Sequence, residues 1–402
     1  MRRVVVTGIG VMCASGRNRE EFLRSLRQGR CGISRIEGTE LSDLRFQNGG
    51  EVRNFQPTDF MPPKSADMID RFAQFAVVAA QEAVLHSGIE MTPDVQDNAA
   101  IITGSCVGGQ STENQGFWDV YKMGKTRVHP MTIPKTMANA GASAISLQFG
   151  ITGPSFTIAT ACSSSAHALG QAFMMIRSGM CDFAISGGSE APFSYGILKA
   201  WEAMRVVSPS VCRPFSRDRN GMVLGEGAAM LTVEALDCAL ARGAKPIAEI
   251  VGFGMSADAH HITQPSAEGA AKAMRLAMKD AGIGPEAVGY VNAHGTGTAV
   301  NDLTETKALH LAFGAHATRL AISSTKAMHG HTLGAAGAIE STAAILALTN
   351  DFIPPTINFN ECDPECDLDY VPNCPRNASF EYSMSNSFAF GGLNAVLAFR
   401  RL

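Results

Sequence analysis

The chain has 402 residues, 46% of them hydrophobic and 17% charged, with a formal net charge of −4. That balance excludes a disordered chain and offers no basic surface to nucleic acid, and the length suggests roughly two to three domain-sized units. Every apolar run falls well short of the ~20 residues of a membrane span, so none is expected.

Met1-Arg2-Arg3 opens with positive charge, but Val4–Val6 is too short for the core of an export signal. The segment reads as a first strand, 3–7, entering a turn at Gly8-Ile9-Gly10. Without an export signal, the ten cysteines are expected to stay reduced in a cytoplasm. Residues 48–64, with Pro57, Pro62 and Pro63, read as an irregular excursion over the surface. Further strands are predicted at 99–103, 155–158, 183–186 and 229–233, and a second series at 247–254, 288–292, 320–323, 382–387 and 395–399. Helical spacing predicts helices over 68–87, 163–178, 267–281, 302–313 and 334–348. This alternation signals an α/β fold with buried sheets. Both series open on a strand running into glycines, which suggests duplicated halves, 1–250 and 251–402, fused without a linker. Cys362, Cys366 and Cys374 form no CxxC pair and their nearest histidine is His331, so no metal site is expected.

The most informative run is Thr160-Ala161-Cys162-Ser163-Ser164-Ser165-Ala166-His167. A β-branched approach ends in small residues at the start of a helix. There, unpaired backbone N–H groups and the helix dipole favour an anion, and so are expected to lower the Cys162 thiol pKa. Small neighbours leave room for a substrate. Free cysteine is most often an inert small hydrophobe, so Cys162 needs a base or a charge stabiliser elsewhere.

Three segments offer one. A strand ending at Asn292 presents His294 in the loop Ala293-His294-Gly295-Thr296-Gly297-Thr298, followed by Asn301, Asp302 and Glu305. Histidine there can donate a hydrogen bond or exchange a proton. Lys326 and His331 stand five residues apart before a helix so poor in bulk that something must pack closely on it. His331 near that helix start is expected to stay neutral through the dipole and to act as a donor to a developing oxyanion. Finally, a strand gives way to Phe388-Ala389-Phe390-Gly391-Gly392, whose N–H groups can face a reacting carbonyl.

Together these segments resemble the elongating β-ketoacyl-acyl-carrier-protein synthases, ketoacyl synthases I and II, continuously from Val4 to Phe399. The matching pieces are TACSSSAH around Cys162, RPFSRDRNGMVLGEGA from Arg213, AHGTGT at His294, STKAMHGHTLGAAGAIE at Lys326 and SNSFAFGG at Ser385. The phrase from Leu198 to Val206 and the Asn301-Asp302 pair look most like the nodulation protein E branch. The resemblance implies a thiolase-type, five-layered αβαβα fold of two similar halves, acting as a homodimer. It implies that Cys162 takes an acyl group as a thioester from acyl carrier protein, and that His294 and His331 assist decarboxylation of the malonyl thioester. Lys326 would set the electrostatics around His331, and Glu340, with Asp302 and Glu305, would organise the loops. The N–H groups of Cys162 and Phe390 would form an oxyanion hole, and Phe390 would gate the pocket. Thr296 and Thr298 would hold the phosphopantetheine arm supplied by the carrier, with no cofactor bound to the chain itself. A monovalent cation near Asn292, Glu340, Ser385 and Asn386 is also implied.

Some positions depart from the family pattern. Ala389 replaces a usual glycine, which removes φ freedom and suggests altered gate motion; Leu393 replaces a usual threonine. Val107 and Trp201 suggest altered acyl selectivity. Lys64 remains of a basic docking cluster, Asp67 and Met68 interrupt it, and Lys125, Arg127 and Arg205 are expected to compensate. Among rival readings, a degradative thiolase would need a second cysteine at Phe388–Phe390, and an initiating synthase would have asparagine where His331 stands. A partner-dependent, non-catalytic chain-length subunit lacks the nucleophile that Cys162 supplies.

Overall fold

The computed structural model describes all 402 residues. Ten strands form one bent sheet in the order Ser155–Ile158, Ala99–Gly104, Phe183–Glu190, Gly227–Ala235, Val4–Cys13, Ala248–Ala257, Leu393–Arg400, Tyr382–Ala389, Val288–Asn292, Ala321–Ser323. Outward from the middle, each half runs antiparallel, antiparallel, parallel, parallel. The halves join through only three register pairs, Val4↔Ile250, Val5↔Glu249 and Val6↔Ala248. The strand Ala248–Ala257 therefore straddles the 250/251 division drawn from the sequence.

The glycines near each opening strand do not make a turn. Val4–Cys13 and Ala248–Ala257 run straight through them. A Cβ on Gly8 or Gly10 would sit 2.0 or 1.9 Å from the carbonyl oxygens of Ala83 and Ala79; on Gly252 or Gly254 it would meet those of Ala277 and Ala273 at 2.2 and 2.0 Å. Those carbonyls belong to the outer helices Arg71–Ser87 and Ala267–Ala281. The glycines are the price of seating a helix backbone directly on a strand.

Between the sheet halves lie two central helices, Ser164–Arg177 and Ala336–Thr349, the second buried from Ala336 to Leu348. Their shared cluster holds 44 buried residues, and separate clusters of 27 and 23 fill the two outer interfaces. The small side chains of the second central helix permit close approach: a Cβ on Gly337 would lie 2.7 Å from Ala166. This is the five-layered αβαβα arrangement expected. The excursion at 48–64 is only partly on the surface, because Gly49 to Val52 are buried, with the Gly50 N–H donating to the Leu224 carbonyl.

Candidate active site

Cys162 falls in a single 3-10 turn, Ala161–Ser163, that feeds the central helix. Ala161 adopts a left-handed φ of +50°, a strained conformation for a residue with a Cβ. Hydroxyls hold the bend. The Thr160 N–H donates to Ser164 Oγ at 2.9 Å, and Ser163 and Ser164 Oγ donate back to the Thr160 and Ala161 carbonyls at 2.8 and 2.6 Å. The serine run is thus local wiring for the elbow.

Cys162, His294 and His331 all line one cavity of about 600 Å³. The histidine rings meet edge to face, 5.4 Å between centroids. Glu305 steers the loop of His294, its carboxylate accepting the N–H groups of His294 (2.9 Å) and Gly295 (2.7 Å) and an amide N–H of Asn386. Asp302 accepts the Phe215 and Gly297 N–H groups. His331 is held through its backbone, donating to the Val223 carbonyl while its own carbonyl accepts from Gly225. Thr296 and Thr298 line the same cavity with their hydroxyls 2.8 Å apart.

The electrostatics differ from the sequence expectation in two places. Burial pushes the Cys162 thiol up to about 12; the Lys326 charge opposes this but does not overcome it. The expected lowering by the helix dipole therefore loses to desolvation. His331 is held well below its ordinary value, as expected, but burial and then the Lys326 charge are the causes. His294 is held down by burial, Lys326 and His331. Both are neutral at pH 7.

Lys326 makes no hydrogen bond to His331, although its charge helps hold that ring below its ordinary value. Fully buried, it ion-pairs with the fully buried Glu340 and donates to the His294 carbonyl, with Nζ 3.4 Å from His294 Nδ1. Burial raises the Glu340 carboxyl and the lysine pulls it back. On the strands that pack against the helix of Glu340, Asn292 Oδ1, Asn386 Oδ1 and Ser385 Oγ are buried without hydrogen-bond partners.

Phe390 lines the cavity, its ring stacked on Trp201 at 6.3 Å and 27°. The Phe390 N–H donates to no backbone acceptor, and the Cys162 N–H faces its own sulfur. Backbone freedom lies at Gly391 (φ +82°) and Gly392 (φ +71°), whereas Ala389 pairs with Leu393 in the strand ladder. The alanine thus stands beside the hinge. Trp201 packs against the apolar cluster that contains Cys162, but Val107 belongs neither to that cluster nor to the cavity lining. Of the four basic residues, only Arg205 reaches the cavity rim. Lys64, Lys125 and Arg127 are exposed elsewhere, and Lys125 is paired with Asp119 at 3.0 Å.

Sequence reading missed two features. The segment His261–Pro265 lines the cavity mouth and is tied to the glycine loop, with the Gly391 N–H donating to Ile262 O and the Asp258 N–H to Gly392 O. Its paired histidines were the available signal. The second is Glu190, a fully buried carboxylate at the end of Phe183–Glu190. Its place after a buried strand, Ile185-Ser186-Gly187-Gly188-Ser189, was the only hint.

A model of the β-ketoacyl synthase N-terminal domain matches residues 1–239, and one of the C-terminal domain matches 247–360. Nodulation protein E of Rhizobium leguminosarum bv. trifolii is 44% identical over the full length of both chains. The 3-oxoacyl-[acyl-carrier-protein] synthase 2 of Synechocystis is 40% identical, covering 100% of this chain and 98% of that one. Among solved structures, the ishigamide ketosynthase/chain length factor superposes with a TM-score of 0.95 at 36% identity, covering 100% of this chain and 99% of the other.

Proposed function

The chain belongs to the β-ketoacyl synthase family, and on that premise we propose how its residues divide the work of a decarboxylative condensation. It is a condensing enzyme of acyl-chain elongation. Cys162 Sγ attacks the thioester of an acyl-carrier protein; the carrier thiol leaves with the proton and the acyl group stays on sulfur. Malonyl-carrier protein then enters. Its carboxylate C–C bond breaks, CO₂ departs, and the electron pair passes to an enolate whose oxygen accepts hydrogen bonds from His294 and His331. The enolate carbon attacks the acyl-Cys162 carbonyl, and Cys162 leaves as the thiolate and is reprotonated, giving 3-ketoacyl-carrier protein.

The observation that carries this reading is the convergence of one thiol and two neutral imidazoles on a single cavity. A neutral imidazole can donate to an oxyanion without a strong base, and losing one such donor typically costs ~10²–10³ in rate. The N–H groups of Cys162, at the reacting sulfur, and of Phe390 suit an oxyanion hole, and Thr296 and Thr298 suit the amides of the phosphopantetheine arm. Arg205 at the rim, with Lys64 and Arg127 farther out, suits an acidic carrier; Lys125 is already paired.

We assign a second copy of the chain, or a related subunit, to the exposed apolar side chains of Tyr121, Ile133, Leu147 and the edge-strand residue Phe156. The partner-dependent, non-catalytic reading is disfavoured by the intact Cys162. The unpartnered oxygens of Asn292, Ser385 and Asn386 fit a monovalent cation, which would supply positive charge that steadies the loops; a thermal shift with potassium over choline chloride tests this. Ten unpaired cysteines support a cytoplasmic location, and no helix is long and apolar enough to cross a membrane.

The test is a condensation assay read by mass spectrometry, with malonyl-carrier protein and a ladder of saturated, unsaturated and branched acyl-carrier proteins. Ketoacyl products that vanish with Cys162→Ala support the reading. Absence of acyl-Cys162 from every primer would favour the partner-dependent subunit.

A further inference from the structure

Glu190 is fully buried, yet no lysine, arginine or histidine pairs with it. A buried carboxylate without a counter-charge is costly and persists only where donors replace water. Here all its partners are donors. Ser105 Oγ donates to Oε1 at 3.0 Å, and the Cys106 and Gly334 N–H groups donate to Oε2 at 2.6 and 3.0 Å. The Val107 N–H adds a long contact to Oε1 at 3.4 Å, and Ser105 Oγ in turn accepts from the Gly108 N–H at 3.1 Å.

These donors come from two segments more than 200 residues apart in the chain. One is the turn Ser105–Gly108 after the strand Ala99–Gly104; its Cys106 packs on the apolar cluster of Cys162. The other is Leu333–Gly334, two and three residues past His331. Leu333 belongs to the same apolar cluster and is held at φ +46°, a strained angle for leucine. There is no slack at the junction. A Cβ on Gly334 would lie 2.3 Å from the Cys106 nitrogen and 2.5 Å from Glu190 Oε2. Cys106, which packs on the apolar cluster of Cys162, is thus bonded through one carboxylate to the segment that carries His331.

We propose that Glu190 is a positioning residue that locks the Ser105–Val107 turn, which reaches the cluster of Cys162 through Cys106, to Leu333–Gly334, so that the surroundings of the acyl group on Cys162 and the placement of His331 are set together. The inference rests on the condensation reading above. It separates two half-reactions: acylation of Cys162 needs no contribution from His331 as enolate donor, whereas condensation does.

Glu190→Gln replaces one acceptor oxygen with an amide that turns donor against donor. Ser105→Ala is the milder probe, removing one hydrogen bond to the carboxylate and leaving the charge in place. In a paired assay, Cys162 acylation and condensation turnover are measured across a ladder of acyl lengths for the wild type and both variants. The expected result is acylation within about threefold of wild type, with condensation reduced about tenfold in Glu190→Gln and less in Ser105→Ala. That reduction should vary with acyl length. Equal losses in both half-reactions, or a condensation loss independent of acyl length, would overturn the proposal. Should Glu190→Gln fail to fold, Ser105→Ala alone decides by the same split. A wild-type enzyme that never acylates Cys162 would instead refute the condensation reading, so the two failures are distinguishable.

Discussion

Glu340→Gln isolates the electrostatic centre of the site. Glu340 and Lys326 are both fully buried and in direct contact. The substitution keeps the shape, removes the counter-charge and leaves an ammonium sealed from water against the His294 carbonyl. Breaking one member of a buried pair typically costs about 3–5 kcal/mol. Glu340→Gln should therefore lose about 3–5 kcal/mol at pH 7. The double variant Lys326→Met/Glu340→Leu carries no buried charge and should regain most of the loss, falling short by about 1–2 kcal/mol for the unpaired His294 carbonyl. Guanidinium unfolding at pH 7, with protein concentration held fixed, measures this. A Glu340→Gln variant as stable as wild type, or a double variant no more stable than Glu340→Gln, would refute the argument.

Buried histidines and buried carboxyls should pull the pH dependence of stability in opposite directions between pH 7.5 and 5.5. His294 and His331 are held well below their ordinary value, and His329 down to about 3, all chiefly by burial. Their stabilisation is present above the unfolded value near 6.5 and is lost as pH falls below it, at about 1.4 kcal/mol per histidine per unit. Between pH 7.5 and 5.5 the three histidines together cost about 4 kcal/mol, but Glu190 and Glu340, each raised to about 7 by burial, take up protons in the fold over the same interval and offset most of that loss. Unfolding free energy should therefore change by less than about 2 kcal/mol across the interval, and a deficit of about 4 kcal/mol at pH 5.5 would contradict the raised carboxyls. Alkylation of Cys162 by iodoacetamide, followed by peptide mass spectrometry, should still be rising between pH 8.5 and 10, because burial pushes the thiol to about 12. A plateau near neutral pH would restore the helix dipole as the dominant influence. Gly392→Ala should slow Cys162 acylation by about tenfold or more, since its φ is +71° and a Cβ would lie 2.5 Å from Asp258 Cβ. Ala389→Gly should stay within about twofold, because the alanine sits in a strand ladder. The reverse ranking would place the hinge at Ala389.

The features legible in the sequence were those encoded within a few residues. Short β-branched, apolar segments bounded by glycine or helical stretches located all ten strands of the main sheet, because a strand buried on both faces is written as a local apolar run. The elbow at Cys162 was legible for the same reason: its serines bond within four residues of themselves. Helices such as Tyr195–Met204 and Arg19–Gln28 escaped notice because each buries only a narrow stripe.

Tertiary structure alone decided which distant groups share an environment. Gly8 and Gly10 look like a turn until a helix 70 residues later lays its carbonyls on them. Lys326 stands near His331 in sequence, yet its ammonium goes to Glu340 and His294. Desolvation, which raises the Cys162 thiol and keeps the histidines neutral, is the sum of contacts from several segments and has no local signature. Glu190 is the sharpest case. Its partners lie 83 to 144 residues away, and only the packed fold brings their N–H groups to one buried carboxylate.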